Sequence, residues 1–194
     1  EIALAVKAGG PNPEYNSRLR VAIQNGKAAN MPKSNVESAI KKASGKEAEN
    51  FQEVIYEGKG ASGIAVLVET ATDNPTRTVA NVRMYFDRCG GALGTSGSVA
   101  FLFDRKGVFK AKAEGQDWDT LELELIDAGL EEMKREEDEI VLYCSFTDFG
   151  TMQKALEDMN IEVITAELQR IPTMTKELSE EFTDEVLEII DKLE

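Results

Sequence analysis

The sequence predicts an α+β protein in which a small helical segment leads and two small α/β units follow. Three observations predict it. Apolar residues of positions 1–47 recur at helical spacing. From Phe51 onward, β-branched and aromatic runs alternate with short amphipathic helices. From Ala113 the composition turns acidic, and a second run of the same design begins. A chain of 194 residues, 42% of them hydrophobic, is long enough to bury a core in each part.

The elements follow in order. Residues 1–8 read as a helix stopped by GGPNP at 9–13. Leu19, Ala22, Ile23 and Gly26 mark one helical face, with Arg20, Gln24 and Lys27 on its flank. Pro32 opens the next helix, whose stripe is Val36, Ala39, Ile40 and Ala43, and Gly45 ends it. Strands are expected over 51–57 and 64–70, joined by the turn GKGASG. Asn74 caps and Pro75 opens a helix running to Cys89, with Val79, Val82, Phe86 and Cys89 on one face. Gly90 suits the left-handed position beyond its end. Two further strands are expected, 99–103 and 107–112, around a tight turn at 104–107. This gives β-β-α-β-β. The acidic part reads α-β-β-α-β: a helix 117–128 capped by Asp117, strands 131–135 and 140–145, a helix capped by Thr147 and running to Met159, and a strand 161–171. An amphipathic helix, 179–193, closes the chain.

The stretch Cys89–Phe103, CGGALGTSGSVAFLF, tests for a phosphate loop. Walker and dinucleotide loops run strand, glycines, helix, and a Walker loop carries a lysine after its glycines. Here the order is helix, glycines, strand, with no lysine. Nucleotide binding is therefore not expected, and the glycines supply a helix stop and tight turns. Amides and hydroxyls of such a loop can still touch a phosphate backbone, which needs no motif.

The net charge of −14 is unevenly spread. Residues 1–47 hold eight Lys/Arg and four Asp/Glu, residues 48–112 eight and seven, and residues 113–194 six and twenty-five. A basic front and acidic rear could orient the chain against a polyanion, or the rear is a solvated surface with no such role. No histidine is present, which removes Ser-His-Asp and Cys-His catalysis and His-containing zinc sites. The acidic clusters 131–139 and 179–185 lack the spacing of a calcium loop. Cys89 and Cys144 are expected as free, reduced thiols packed as small hydrophobes. No apolar run reaches the ~20 residues of a membrane helix. No cofactor, metal, membrane or small-molecule substrate is expected, and a cytoplasmic location is.

IYEGKG at 55–60, TDNPTRTVANVR at 72–83, GGALGTSGSVAFLF at 90–103, RIPTMT at 170–175 and NSRLRVAIQNGKAANMPKSNVESAIKKA at 16–43 are longer signals. Together they resemble the YebC/PmpR family over essentially the whole chain. The resemblance implies a helical domain, 1–47, and two small ferredoxin-like α/β domains, the second inserted into the first. The middle domain would be 48–113 plus 174–194, and the inserted acidic domain 114–173. It also implies a basic leader of about thirty residues ahead of Glu1 and a short tail after Glu194. It implies a cytoplasmic, non-enzymatic DNA-binding transcriptional regulator, or a ribosome-associated translation factor that helps synthesis through stretches such as consecutive prolines by binding rRNA or tRNA.

The expected contacts are to nucleic acid. Arg77 and Arg88 lie about 20° apart on the wheel of their helix, nearly opposite its apolar stripe, with Arg83 at the edge. They can pair with phosphates, or they are surface arginines paired to Asp73 or Asp87. The family motif contains Arg77 and Arg83. In the helical segment the candidates are Arg18, Arg20, Lys27, Lys33, Lys41 and Lys42, set against a plain solvated face. No helix groups Asn, Gln and Arg to read base edges, so backbone and shape contacts are expected. Tyr56, Tyr85, Phe101, Phe103, Trp118 and Phe146 could stack bases, but core packing is expected of them.

Overall fold

The computed structural model describes residues 1–45, 50–112, 115, 117–136 and 139–194. The chain forms two compact units: Glu1–Lys46 with Arg105–Ile171, and Glu47–Asp104 with Pro172–Glu194.

In the first unit, helices α1 (Ile2–Gly9), α2 (Ser17–Ala28) and α3 (Lys33–Ser44) bury Ile2, Ala5, Val6, Leu19, Ala22 and Val36 together. The turn between α1 and α2 is tied by Asn16. Its side chain accepts from Leu19 N, capping α2, and donates to Ala5 O at 2.7 Å and Gly10 O at 2.8 Å.

The rest of this unit is β4 (Phe103–Lys112), α5 (Trp118–Ile126), β5 (Leu130–Glu136), β6 (Glu139–Ser145), α6 (Phe149–Asp158) and β7 (Val163–Pro172). Its sheet has the order β5-β6-β4-β7, that of a ferredoxin-like βαββαβ unit. Pairs β4–β6 and β5–β6 are antiparallel. Strand alternation sends Phe109, Ala111, Ile140, Leu142 and Cys144 under α5 and α6, where they meet Leu121, Leu125, Met152 and Leu156. Sequence periodicity predicts two strands around a turn at 104–107. The structure instead has one unbroken strand there, preceded by a single 3-10 turn at Ala100–Leu102. That strand completes the acidic sheet, whose first member the sequence reading lacked. The expected cap of α6 also differs: Ser145 Oγ, not Thr147, accepts from Asp148 N and opens a 3-10 turn that runs into α6.

In the second unit, β1 (Gln52–Lys59), β2 (Ala65–Thr72) and β3 (Ala92–Leu93) form an antiparallel sheet of order β2-β1-β3. This three-stranded sheet stands where a four-stranded ferredoxin-like one is expected. Helix α4 (Pro75–Arg88), capped by Asn74 Oδ1 on Arg77 N, packs Val82 and Phe86 on one sheet face beside Tyr56. Helix α7 (Glu180–Leu193) adds Ile189 and Leu193 to that core. Cys89 and Cys144 are both buried and free. Among the described residues, no helix is long and apolar enough to cross a membrane.

Candidate nucleic-acid interface

The basic candidates sort by what surrounds them. Arg20 lies at the start of α2 and its guanidinium donates to Pro13 O at 2.9 Å and Glu14 O at 3.1 Å. It clamps the α1–α2 turn, and part of its donor capacity is spent there. Arg18 is exposed and has an interaction within the chain. Lys27 sits in the last turn of α2, and Lys41 and Lys42 in the last turn of α3. All three are exposed, and among the described residues none of their side chains forms an ion pair or hydrogen bond. Lys33 is almost wholly in solvent and reaches Glu37 at only 3.8 Å. The turn at 29–32 sets Lys27 and Lys33 on either side of it. Helix C-termini favour cations on their own account, which explains why these lysines are tolerated there but not why they lack partners.

In the second unit, Arg77 pairs with Asp73 one helical turn back at 2.7 Å, both exposed. Such a pair is worth only about 0–1 kcal/mol, so a phosphate can compete for the guanidinium. Arg83 is exposed, and among the described residues it makes no ion pair. Arg88 is exposed at the end of α4, next to Cys89. Burial pushes the Cys89 thiol up, and Glu188 and Glu185 of α7 add to this while Lys192 and Arg88 oppose them. Arg88 shares that neighbourhood with Glu188, Glu185 and Lys192. Lys27 closes α2, Lys33 opens α3, and Lys41 and Lys42 close α3. Arg77, Arg83 and Arg88 belong to the other unit.

A separate row of cations lies on β4. Lys106, Lys110 and Lys112 alternate with core residues and so share the sheet face opposite α5 and α6. Each is held by a carboxylate: Glu131 at 2.6 Å, Glu139 at 2.5 Å and Glu162 at 2.8 Å. The hydrogen bond to Glu139 raises the Lys110 ammonium above its usual range. This row is neutralised. The basic front and the acidic rear are also not held apart. Asn25 of α2 donates to Ala166 O at 2.9 Å and accepts from Ala166 N at 3.0 Å on β7, and Gln24 donates to Val163 O. The side chain of Asn25 thereby serves as the next strand on the open edge of the sheet.

Sequence reasoning missed Glu57. It lies on β1, is only 6% exposed, and accepts three backbone N–H bonds: Gly97 at 2.7 Å, Val99 at 2.8 Å and Ala100 at 2.8 Å. The glycine stretch is lashed to β1 through it. Gly94 N also donates to Glu57 O at 2.8 Å. Gly91 is where backbones meet, since a Cβ there would stand 2.5 Å from Lys59 O. The one available signal was an acid directly after the apolar run Val54-Ile55-Tyr56 of the strand. Phe101 also departs from expectation. It is 72% exposed on its 3-10 turn, not packed in a core.

The whole length of the chain matches known relatives. Residues 1–46 match the model of the TACO1/YebC protein N-terminal domain, and residues 51–194 that of the TACO1/YebC second and third domain. The chain belongs to the TACO1/YebC family. It is 54% identical, over its full length and 82% of the relative, to a "probable transcriptional regulatory protein" of Flavobacterium psychrophilum. A relative of the same name in Myxococcus xanthus is 52% identical over the full chain and 83% of its own length. The crystal structure of a conserved hypothetical protein of Aquifex aeolicus superposes with a TM-score of 0.81 at 39% identity, covering all of this chain and 80% of that one. YebC-family relatives carry regulatory names, and this chain is a regulator of that family.

Proposed function

We propose that this YebC-family chain is a non-enzymatic, cytoplasmic regulator of gene expression that binds nucleic acid through its backbone, acting as a DNA-binding transcriptional regulator. One observation carries the proposal: exposed Lys27, Lys41 and Lys42, without carboxylate partners among the described residues, on a segment of eight Lys/Arg and three Asp/Glu over residues 1–46. Cations left unpaired in a chain of thirty-six acidic residues are free to replace the counterions of a polyanion. Arg77 and Arg83 add to them in the second unit; Arg88, beside α7, adds least. The regulatory names of the relatives agree with this reading. Two buried free thiols suit a reducing compartment.

A second reading is a ribosome-associated translation factor that binds rRNA or tRNA. It is favoured by the lack, on any helix among the described residues, of grouped side chains suited to base edges, since structured RNA is read largely by shape and backbone. Gel shift on genomic promoter fragments against co-sedimentation with ribosomes, both at ~150 mM salt, separates them. Promoter binding without co-sedimentation supports the first, the reverse supports the second, and neither in the intact protein defeats both.

A further inference from the structure

We infer that the loop Gly94–Gly97 and the ring of Phe101, both positioned by Glu57, form a seat for one unpaired nucleotide. The inference rests on the nucleic-acid reading and adds where a single-stranded stretch makes contact.

The first support is electrostatic. Residues 47–104 with 172–194 hold six Lys/Arg and sixteen Asp/Glu, so this unit repels a polyanion over much of its surface. The run Cys89–Phe103 is fifteen residues without a charge. The carboxylate beneath it, Glu57, is buried and directed at three amides, which spread its charge away from solvent.

The second support is the set of free donors. Thr95 and Ser96 are exposed, and among the described residues neither their amides nor their hydroxyls donate to the protein. The turn they sit on is closed by Ser98 N on Thr95 O at 3.1 Å, and the next residue, Gly97, is held by Glu57. Gly97 adopts φ of 84°, open to glycine at no cost. Fixed amides and hydroxyls facing water are what a phosphate oxygen needs.

The third support is Phe101. Its 3-10 turn is pinned at both ends, at Ala100 N by Glu57 and at Leu102 O by Thr173 N at 2.9 Å and Thr173 Oγ1 at 3.1 Å. A ring carried on a backbone turn held this way, and exposed to water, is placed for stacking. One carboxylate holds the amide after Ser96 and the amide before Phe101. The backbone segments that carry the phosphate donors and the ring are therefore tied to one carboxylate. A duplex offers a phosphate but no free base face, so the occupant is an unpaired nucleotide. Glu57 is the positioning residue and Phe101 the contact.

The test measures fluorescence anisotropy of a labelled, unstructured 20-nucleotide RNA, its DNA counterpart and the RNA duplex with the full chain at ~150 mM salt. Phe101→Ala is expected to weaken single-strand binding about tenfold and duplex binding less than about twofold, with the salt slope unchanged. Phe101→Tyr restores affinity. Ser96→Asp weakens the single strand as well, by placing a charge at the phosphate. Glu57→Gln weakens it and raises amide exchange at Gly97 and Ala100. Thermal melting of Phe101→Ala stays close to the wild type, because the ring is mostly in solvent. A loss with RNA, DNA or both supports the seat. If wild type binds both strands and Phe101→Ala and Ser96→Asp bind like it, the seat is wrong while nucleic-acid binding stands. If wild type binds no nucleic acid, both readings fall.

Discussion

Two rows of lysine differ in a way that separates surface from interface. On β4, Lys106, Lys110 and Lys112 each meet a glutamate within 2.8 Å, supplied by β5, by β6 and by Glu162 ahead of β7. On α2 and α3, Lys27, Lys41 and Lys42 meet none among the described residues. The residue type is the same. On one face of a sheet long side chains reach diagonal neighbours and beyond, so Lys110, opposite Val141, meets Glu139 two positions along β6, and Lys106 meets Glu131 of β5 past the intervening β6. The last turns of two helices have no such neighbour. The lesson is that charge counts along a sequence do not locate a cationic surface: the pairing that removes Lys110 is made through space.

Carboxylates can break or sharpen the same comparison. Glu57 is satisfied by three amides in the interior, while Glu139 is satisfied by a lysine at the surface. Glu57→Ala is expected to have the largest effect, a loss of about 3 kcal/mol or more from the unit that holds it, because buried donors are left unpaired. Urea unfolding and amide exchange at Gly97, Val99 and Ala100 check it, and native-like protection at those amides would contradict it.

Next comes Asn25→Ala, which strips the edge of β7 of both its bonds at Ala166. A cost of about 1–3 kcal/mol and faster exchange at Ala166 N are expected. Unchanged exchange would mean that α2 does not protect that edge.

The thiols give a pH dependence. Burial, then Asp148 and Glu131, pushes the Cys144 thiol up to about 11 from its ordinary 9.0. The folded value is the higher one, so the stability held by the neutral thiol is complete below the unfolded value and is lost as pH rises towards 11. The urea midpoint should hold level from pH 7 to 8 and then fall, less steeply in Cys144→Ala. Equal slopes in the two proteins would contradict the assignment.

The smallest effect belongs to β4. Lys110→Ala should change stability by less than about 1 kcal/mol and leave nucleic-acid affinity within about twofold. A large drop in affinity would erase the distinction between the two rows.

Much of the architecture was legible from periodicity alone. The three leading helices, α4 with its Asn74 cap, and the acidic α-β-β-α-β run all carry local signals: stripes, caps and stops. The resemblance to the YebC family was legible from long motifs in order. What failed was non-local. Residues 103–112 contain a glycine and charged residues that mimic a turn, and pairing with the neighbouring strands makes one strand of them. Phe101 reads as core by its type, yet the turn that carries it faces solvent. Arg20 and Gln24 look like one basic-polar flank, but one clamps a turn and the other bonds to β7. Glu57 bonds to residues forty and more positions away, which no window of sequence reveals.

The most direct measurement is the salt dependence of nucleic-acid binding by the wild type and by Lys27→Glu/Lys41→Glu/Lys42→Glu. The account predicts that affinity for the wild type falls steeply between about 50 and 200 mM salt and that the triple variant loses about three from the slope of log K against log salt. A wild-type slope near zero, or a variant whose slope and affinity match the wild type, would contradict the claim that these unpaired lysines are the surface that meets the polyanion.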